Sequence, residues 1–129
     1  MRKQYHLRPS ARGLLAWDVD RLIKLTDGFP QKHIPLSAIR ELDEAYWFEC
    51  EDIKPTCRAI AEHARLMQET DLSYPIILSA DGRVMDGMHH VAKAYINTCD
   101  TIPAVQFEVD PEPDYVGIAA ALLPYEEAA

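Results

Sequence analysis

The segment 74–98 constrains the fold most, because in it a short hairpin leads through a single glycine into a helix. Residues 74–78 are an apolar run with a proline near its start, which is typical of a buried strand. The Asp-Gly pair at 81–82 is a turn signal that allows residues 84–85 to return as the partner strand. Gly87 ends that strand, and apolar residues then recur at helical spacing. This order of elements predicts a mixed α/β (α+β) domain.

The remaining patterns extend this hairpin and helix into a complete fold. Pro55 and Thr56 open the longest predicted helix, in which Cys57, Ile60, Ala61, Ala64 and Met67 form one apolar stripe. Together the elements predict a small mixed β-sheet flanked by three or four helices. The other predicted elements are a helix over 19–26 behind an Asp18 cap, a strand over 33–36, a turn over 37–42 capped by Ser37, and a strand over 102–109.

With 129 residues the chain is long enough for one domain and too short for two of ordinary size. Residues 1–13 are predicted to be a basic arm or an edge segment, and residues 14–109 the folded domain. Residues 110–114 are acidic and rich in proline, which indicates a solvated linker, and the apolar tail up to residue 129 is expected to dock on its own domain. No apolar run has the length of a secretory signal or of a membrane span, so we expect a soluble protein of the cytoplasm that needs no membrane.

Charge and cysteine content limit the classes of partner. A formal net charge of −8 opposes non-specific binding to a nucleic-acid backbone, so a small ligand, a protein partner or a second copy of the chain is favoured. Cys50, Cys57 and Cys99 are odd in number and form no Cys-x-x-Cys pair, which indicates free thiols. Among the histidines, only His89 and His90 are adjacent, and neighbours on a helix cannot face one ion, so no metal site is predicted.

The turn before the helix is where chemistry is expected. A glycine at a helix start leaves the first backbone N–H groups of the helix without partners, and such an end binds anions. His89, His90 and Lys93 fall within the first two turns and are candidate phosphate ligands. Asp86, at the strand end, is a candidate for holding a ribose hydroxyl or a metal-bound water.

At the start of the longest helix, Thr56 is first of all a cap, and Arg58 either reaches the same anion or forms a local ion pair. Trp47 and Phe48 are more typical of a core than of a platform for stacking on a base.

Taken together, the run 74–109 resembles the core of the ParB/sulfiredoxin superfamily. In that superfamily a helix leads to a strand, a hairpin, a Gly-x-[His/Arg]-Arg-x-x-Ala helix start and a closing strand that begins with a proline. With the earlier strand at 33–36 included, the resemblance covers about residues 34–109. The matching residues of the helix start and closing strand are Gly87-Met88-His89-His90-Val91-Ala92-Lys93-Ala94 and Ile102-Pro103-Ala104-Val105.

The resemblance implies a nucleotide site, because members of the superfamily bind CTP, ATP or ADP with the phosphates at this helix start. The positions that correspond are Gly87, Met88, His89 and His90. Sulfiredoxins carry a catalytic cysteine where this chain has Met88, and a thioether cannot act as that nucleophile, so sulfinic acid reduction is not expected. His90 replaces the usual arginine and loses its bidentate fork, which predicts weaker or pH-dependent binding of triphosphates.

Two branches of the superfamily suggest what the site would do. Chromosome-partitioning ParB proteins continue into a helix-turn-helix domain that is not recognised here, so sequence-specific DNA binding is not expected. Small free-serine kinases use a glutamate after the first strand as general base, and Glu41 and Glu44 stand in a comparable place. The resemblance thus predicts a nucleotide-binding domain, as a phosphotransferase or nucleotide hydrolase with Mg²⁺, or alternatively a non-catalytic nucleotide-sensing or protein-interaction module. A nuclease is disfavoured by the acidic composition and by the lack of a compact carboxylate cluster.

Overall fold

A computed structural model describes residues 3–49 and 53–126 of the chain. These residues form three α-helices and two β-sheets, and the helices alternate with strands along the chain, which confirms the mixed α/β class. The strands are β1 (Tyr5–Ser10), β2 (Gly13–Asp18), β3 (Lys32–Pro35), β4 (Ile76–Leu78), β5 (Val84–Asp86), β6 (Thr101–Gln106) and β7 (Tyr115–Val116), and the helices are α1 (Val19–Leu25), α2 (Cys57–Glu69) and α3 (Met88–Ile96).

The larger sheet has four strands in the order β3-β6-β4-β5. Strand β6 runs antiparallel to β3, with Ile34 opposite Ile102, and parallel to β4, with Ile76 opposite Ala104. The β4–β5 hairpin is antiparallel and turns at Gly82, which has a φ of +86°. The predicted small mixed sheet and its hairpin are therefore confirmed.

The smaller sheet, in the order β1-β2-β7, was not predicted as a separate unit. The N-terminal segment forms its edge strand β1, and β2 lies between β1 and the late strand β7. The segment 110–114, which was predicted as a solvated linker, is half-buried to exposed and is tied by hydrogen bonds to β2 and to the hairpin. Trp17 Nε1 donates to the Pro111 carbonyl at 2.8 Å, and the Ala80 N–H donates to the Asp110 carboxylate at 2.8 Å. Polar side chains thus fasten a segment whose composition is typical of solvent exposure.

Both faces of the larger sheet are buried. Because successive side chains of a strand point to opposite faces, Ile76 and Leu78 of β4 pack with α3, while Ile77 packs with Trp17 and Leu22 of the β2–α1 unit. The core therefore lies in two layers, one on each side of the four strands. The short central strands read as continuous apolar runs for the same reason.

Helix α2 begins as predicted, since the Thr56 hydroxyl accepts from the Ala59 N–H at 3.1 Å. The prediction for its buried face is wrong. The helix turns Ala59, His63 and Met67 toward the domain, and none of its residues is fully buried. The His63 imidazole stacks on the Trp47 indole, and this contact turns that side of α2 toward the domain. The spacing of apolar residues in the sequence does not indicate a contact made by an imidazole. The stripe residues that remain exposed are Cys57, Ile60, Ala61 and Ala64.

Cys57 is thus an exposed free thiol rather than a buried one, and Cys99 is a half-buried free thiol. Cys50 lies outside the described residues. None of the helices in 3–49 and 53–126 combines the length and apolar character that a membrane span requires.

Candidate functional site

The turn between β5 and α3 is built around Gly87, which has a φ of +104° and a ψ of 24°. A Cβ atom at this position would lie 2.7 Å from Cγ2 of Ile76, a fully buried residue of β4. Only glycine therefore allows the strand and the helix to meet so closely. The first helical hydrogen bond runs from the Val91 N–H to the Gly87 carbonyl at 3.1 Å. The N–H groups of residues 88–90 therefore make no hydrogen bond within the helix. Unpaired N–H groups of this kind allow a helix start to bind an anion.

Three cavities adjoin this turn, and Asp86 lines all of them. The first, which we call the Phe29 cavity, has a volume of about 470 Å³ and is walled by Phe29, Ile77 and His90. The second, the tail cavity, measures about 610 Å³, and the third, the aromatic cavity, about 340 Å³. The residues that line the tail cavity include Lys3, Tyr5, Glu69, Gly87, His89, His90 and Tyr125, and those that line the aromatic cavity include Gln4, His6, Tyr46, Trp47, Met85, Gly87 and His89.

The carboxyl group of Asp86 is the acidic group at the centre of this region. Its burial raises the pKa above the ordinary value of 3.8, and the charge of Asp20 adds to this effect, while the Gly87 N–H opposes it. A carboxyl group with a raised pKa that faces three cavities is a candidate for a proton-sharing or cation-binding role.

His89 belongs to a stack of three rings that joins α2 to α3. The Trp47 indole lies 4.3 Å from the His63 ring and 4.7 Å from the His89 ring, nearly parallel to both. A hydrogen bond of 2.9 Å connects His63 Nδ1 with His89 Nε2. Burial lowers the pKa of His89 to about 4, with His63 and His90 contributing, and burial also lowers the pKa values of His63 and His90. All three imidazoles are therefore neutral at pH 7 and offer hydrogen bonds rather than charge to a ligand.

Several predicted phosphate ligands have other partners. Lys93 Nζ donates to the carbonyls of Gln68 at 3.1 Å and Thr70 at 2.6 Å, so it caps the C-terminal end of α2. Thr56 caps the opposite end of that helix, and Arg58 is exposed beside it. None of these three residues lines the cavities at the Gly87 turn. The predicted site therefore reduces to the segment from Asp86 to His90, in which the Met88 side chain packs into the core and its N–H group remains at the turn.

The two predicted general bases lie on the hairpin side of the molecule. Of the two short 3₁₀ turns Leu36–Ala38 and Arg40–Asp43, the second contains Glu41 and is followed by Glu44. Neither turn is capped by Ser37 as predicted. Glu41 is 1% exposed, and its Oε2 accepts from the Val84 N–H. Glu44 forms a bidentate pair with Arg83, with both N–O distances at 2.6 Å, which lowers the pKa of Glu44. Neither carboxylate lines the cavities at the Gly87 turn.

Sequence patterns did not indicate several residues that line the site. Lys3 and Tyr5 arrive on the N-terminal sheet, and Tyr125 arrives on the tail, where the Lys3 N–H donates to the Tyr125 carbonyl at 2.9 Å. His63 comes from the middle of α2. Strand pairing and tail docking bring these residues together over long sequence separations, and no local spacing signals such an encounter. Trp47, which the sequence favoured as core, packs against the core with its side chain half-buried, and it also lines the aromatic cavity.

Among the described residues no three His, Cys, Asp or Glu side chains are grouped so as to hold a metal ion. Comparison of the chain with protein-family models, with curated proteins and with solved structures finds no match. The assignment of function therefore rests on the chemistry of the site.

Proposed function

We propose that the chain is a ParB-like nucleotide-binding module that holds a phosphorylated small molecule at the start of α3 and catalyses no reaction. The observation that carries this proposal is the Gly87 turn, in which a glycine pressed against Ile76 presents the first N–H groups of a helix to a group of adjoining cavities. The order of hairpin, glycine turn, helix and Pro103-containing strand supports it. Members of the superfamily that the chain resembles bind CTP, ATP or ADP, so we propose one of these three nucleotides as the ligand.

A nucleotide fits the division of this region into unlike parts. The phosphates would accept hydrogen bonds from the N–H groups of residues 88–90 and from the neutral imidazole of His89. The N–H of neutral His90 is bound to the Asp71 backbone, so His90 would donate to a phosphate only once it is protonated. The aromatic cavity, with Tyr46 and Trp47 in its wall, offers apolar surface for a base or sugar. Burial raises the pKa of Tyr46 to about 12, so its phenol stays protonated and can act as a donor.

Charge sets the strength of such binding. Lys3, a cation that lines the tail cavity, forms ion pairs with Asp18 at 3.0 Å and Asp20 at 3.6 Å. The Asp86 carboxylate would repel a phosphate unless it carried a proton or bound a cation. One carboxylate and the phosphate oxygens are the ligands that Mg²⁺ commonly takes with a nucleotide, so Asp86 would hold the ion on the protein side. We therefore expect binding to need Mg²⁺ or to strengthen below neutral pH.

The non-catalytic reading is favoured over a phosphotransferase by the positions of the two glutamates. A general base has to come within hydrogen-bond reach of the hydroxyl that it deprotonates, directly or through one water. Arg83 holds both oxygens of Glu44, and the Val84 N–H binds buried Glu41. These contacts stabilise the hairpin, and they point away from a catalytic use.

Isothermal titration of the full chain with CTP, ATP and ADP, each with and without Mg²⁺, tests the proposal. We expect at least one nucleotide to bind, and the double variant His89→Ala/His90→Ala to weaken that binding by about tenfold or more, in line with the loss of two half-buried imidazoles that line the site. His33→Ala, which removes an exposed imidazole on β3, is the matched control and leaves affinity unchanged. The absence of binding by all three nucleotides would refute the proposal.

An assay of nucleotide turnover distinguishes a non-catalytic nucleotide-binding module from a phosphotransferase. Wild-type protein is incubated with each nucleotide and Mg²⁺, with and without free serine, and released nucleotide and phosphoserine are measured. We expect no turnover above a blank in wild type. Turnover that Glu41→Gln or Glu44→Gln abolishes, while nucleotide affinity is kept, would instead establish the phosphotransferase reading.

A further inference from the structure

Helix α2 carries an exposed apolar face that no described element covers. Cys57, Ile60, Ala61 and Ala64 follow the spacing i, i+3, i+4, i+7, so they form one stripe along the helix. All four are exposed, and Ile60 keeps 53% of its surface accessible. The small side chains around Ile60 would allow a second helix to approach closely, because interaxial distance follows the size of the residues at the contact.

Beside this stripe, four charged residues alternate in sign. Arg58, Glu62, Arg65 and Glu69 recur at i, i+4, i+7 and i+11, and therefore share one side of the helix. All four are exposed, and none of them forms a salt bridge with another residue in the described part of the chain. Within the helix, Arg58–Glu62 and Arg65–Glu69 have the less favourable order at i, i+4, whereas Glu62–Arg65 at i, i+3 has the favourable one.

The order of these charges is symmetric about a point between His63 and Ala64. Arg58 and Glu69 are equally far from this point on opposite sides, and so are Glu62 and Arg65. When two copies of such a helix pack antiparallel about a two-fold axis, each charge meets the opposite charge of the other copy. A parallel arrangement would place like charges opposite each other. The pattern is thus complementary to itself in one arrangement only.

We infer that α2 is a homodimerisation surface, on which the α2 helix of a second copy packs antiparallel about a two-fold axis beside Ala64, at the C-terminal end of the stripe. Ile60 then lies about 5 Å along the helix from this axis and packs beside Ala64 of the second copy. Arg58 pairs with Glu69 of the second copy, and Glu62 pairs with Arg65 of the second copy. The inference is independent of the proposed nucleotide site and goes beyond it. A helix of 13 residues is about 20 Å long, so the contact lies at the small end of specific interfaces and the dimer is in rapid exchange with monomer.

Sedimentation velocity of the full chain, without ligand, measures this association from about 10 μM to about 1 mM, the range in which small interfaces associate. We expect the wild-type chain to shift from monomer to dimer across this range. Ile60→Glu weakens the dimer by about tenfold or more. The matched control, Ile96→Glu, alters a side chain on α3 that is 66% exposed and leaves association unchanged. A monomer at every concentration would overturn the inference.

Charge reversal tests the antiparallel arrangement. Arg58→Glu/Arg65→Glu makes the charged side of α2 wholly acidic, and Glu62→Arg/Glu69→Arg makes it wholly basic. We expect neither variant to self-associate and an equimolar mixture to form a heterodimer. Arg12→Glu/Lys24→Glu gives the same net charge as the acidic variant through exposed residues outside α2, and it still dimerises. A mixture that stays monomeric, or a control that loses association as the acidic variant does, would overturn the inference.

Discussion

Replacement of Gly87 by alanine gives the sharpest test of the site, because two separate penalties fall on one methyl group. The backbone at this position has a φ of +104°, where an L-residue is strained by about 1 to 3 kcal/mol. The added Cβ also meets Cγ2 of Ile76 at 2.7 Å and Cβ of Ile76 at 3.1 Å. Because Ile76 is fully buried, relief of this overlap costs about 1 to 3 kcal/mol more. We expect a total loss of about 2 to 6 kcal/mol in the free energy of unfolding.

Gly82→Ala is the matched control, because Gly82 has a φ of +86° and no atom within 4 Å of the added methyl group. It should lose only the strain energy. Denaturant unfolding at constant m-value gives both differences, and each kcal/mol lowers the melting temperature of a chain of this size by about 4 °C. At a temperature where Gly87→Ala remains folded, its nucleotide affinity should also fall, since the helix start has moved. Equal stability of the two variants would refute the close packing of the turn against β4.

Four further outcomes follow from contacts of the site and its supports. Stability should decrease as the pH falls from about 6.5 toward 4, because the pKa values of His6 and His89 are about 4 in the folded chain and 6.5 is the ordinary value. The unfolded chain therefore takes up more protons in this range. Urea titrations at several pH values measure the free energy of unfolding, and a value that does not change with pH would contradict the prediction. Lys93→Met should destabilise α2 by about 1 to 2 kcal/mol and leave nucleotide affinity unchanged, as judged by amide exchange and titration; a loss of affinity with α2 intact would make Lys93 a phosphate ligand after all. Glu41→Ala should cost about 1 to 3 kcal/mol, since the buried Val84 N–H loses its acceptor, and an unchanged unfolding midpoint would count against that contact. Trp17→Phe removes the hydrogen bond to the Pro111 carbonyl, so it should lower the free energy of unfolding by about 1 kcal/mol and speed amide exchange in residues 110–114. Unchanged exchange would show that this hydrogen bond does not hold the segment.

The fold was predictable where local patterns decide it. The Asp-Gly turn at 81–82 and the apolar runs on both sides of it determine the hairpin, and Thr56 and Asp18 cap the helices that the spacing indicates. The glycine turn before α3 was located for the same reason, since a strand and a helix can meet so closely only at a residue without a Cβ atom. In each case a few neighbouring residues contain the physical cause.

The remainder depends on contacts between distant segments. The small sheet requires β7 to return to β2, and the orientation of α2 depends on a His63 ring that stacks on Trp47. Glu41 and Glu44 were assigned to catalysis by their place in the chain, and the partner that holds Glu44, Arg83, lies on a hairpin about 40 positions later. Such meetings leave no periodic pattern in the sequence.

The pairing of β2 with β7 has a consequence for synthesis. Leu15 is made early and its partner Val116 late, so the nascent β1–β2 hairpin keeps one unpaired edge while the intervening chain is translated. At ordinary elongation rates this interval lasts about 5 to 20 s, long enough for chaperones or other nascent chains to engage the edge. Among the described elements, the β1–β2 hairpin is thus the first that can form and among the last to be fully protected. Stalled ribosomes carrying the chain as far as β6 should display it to proteases.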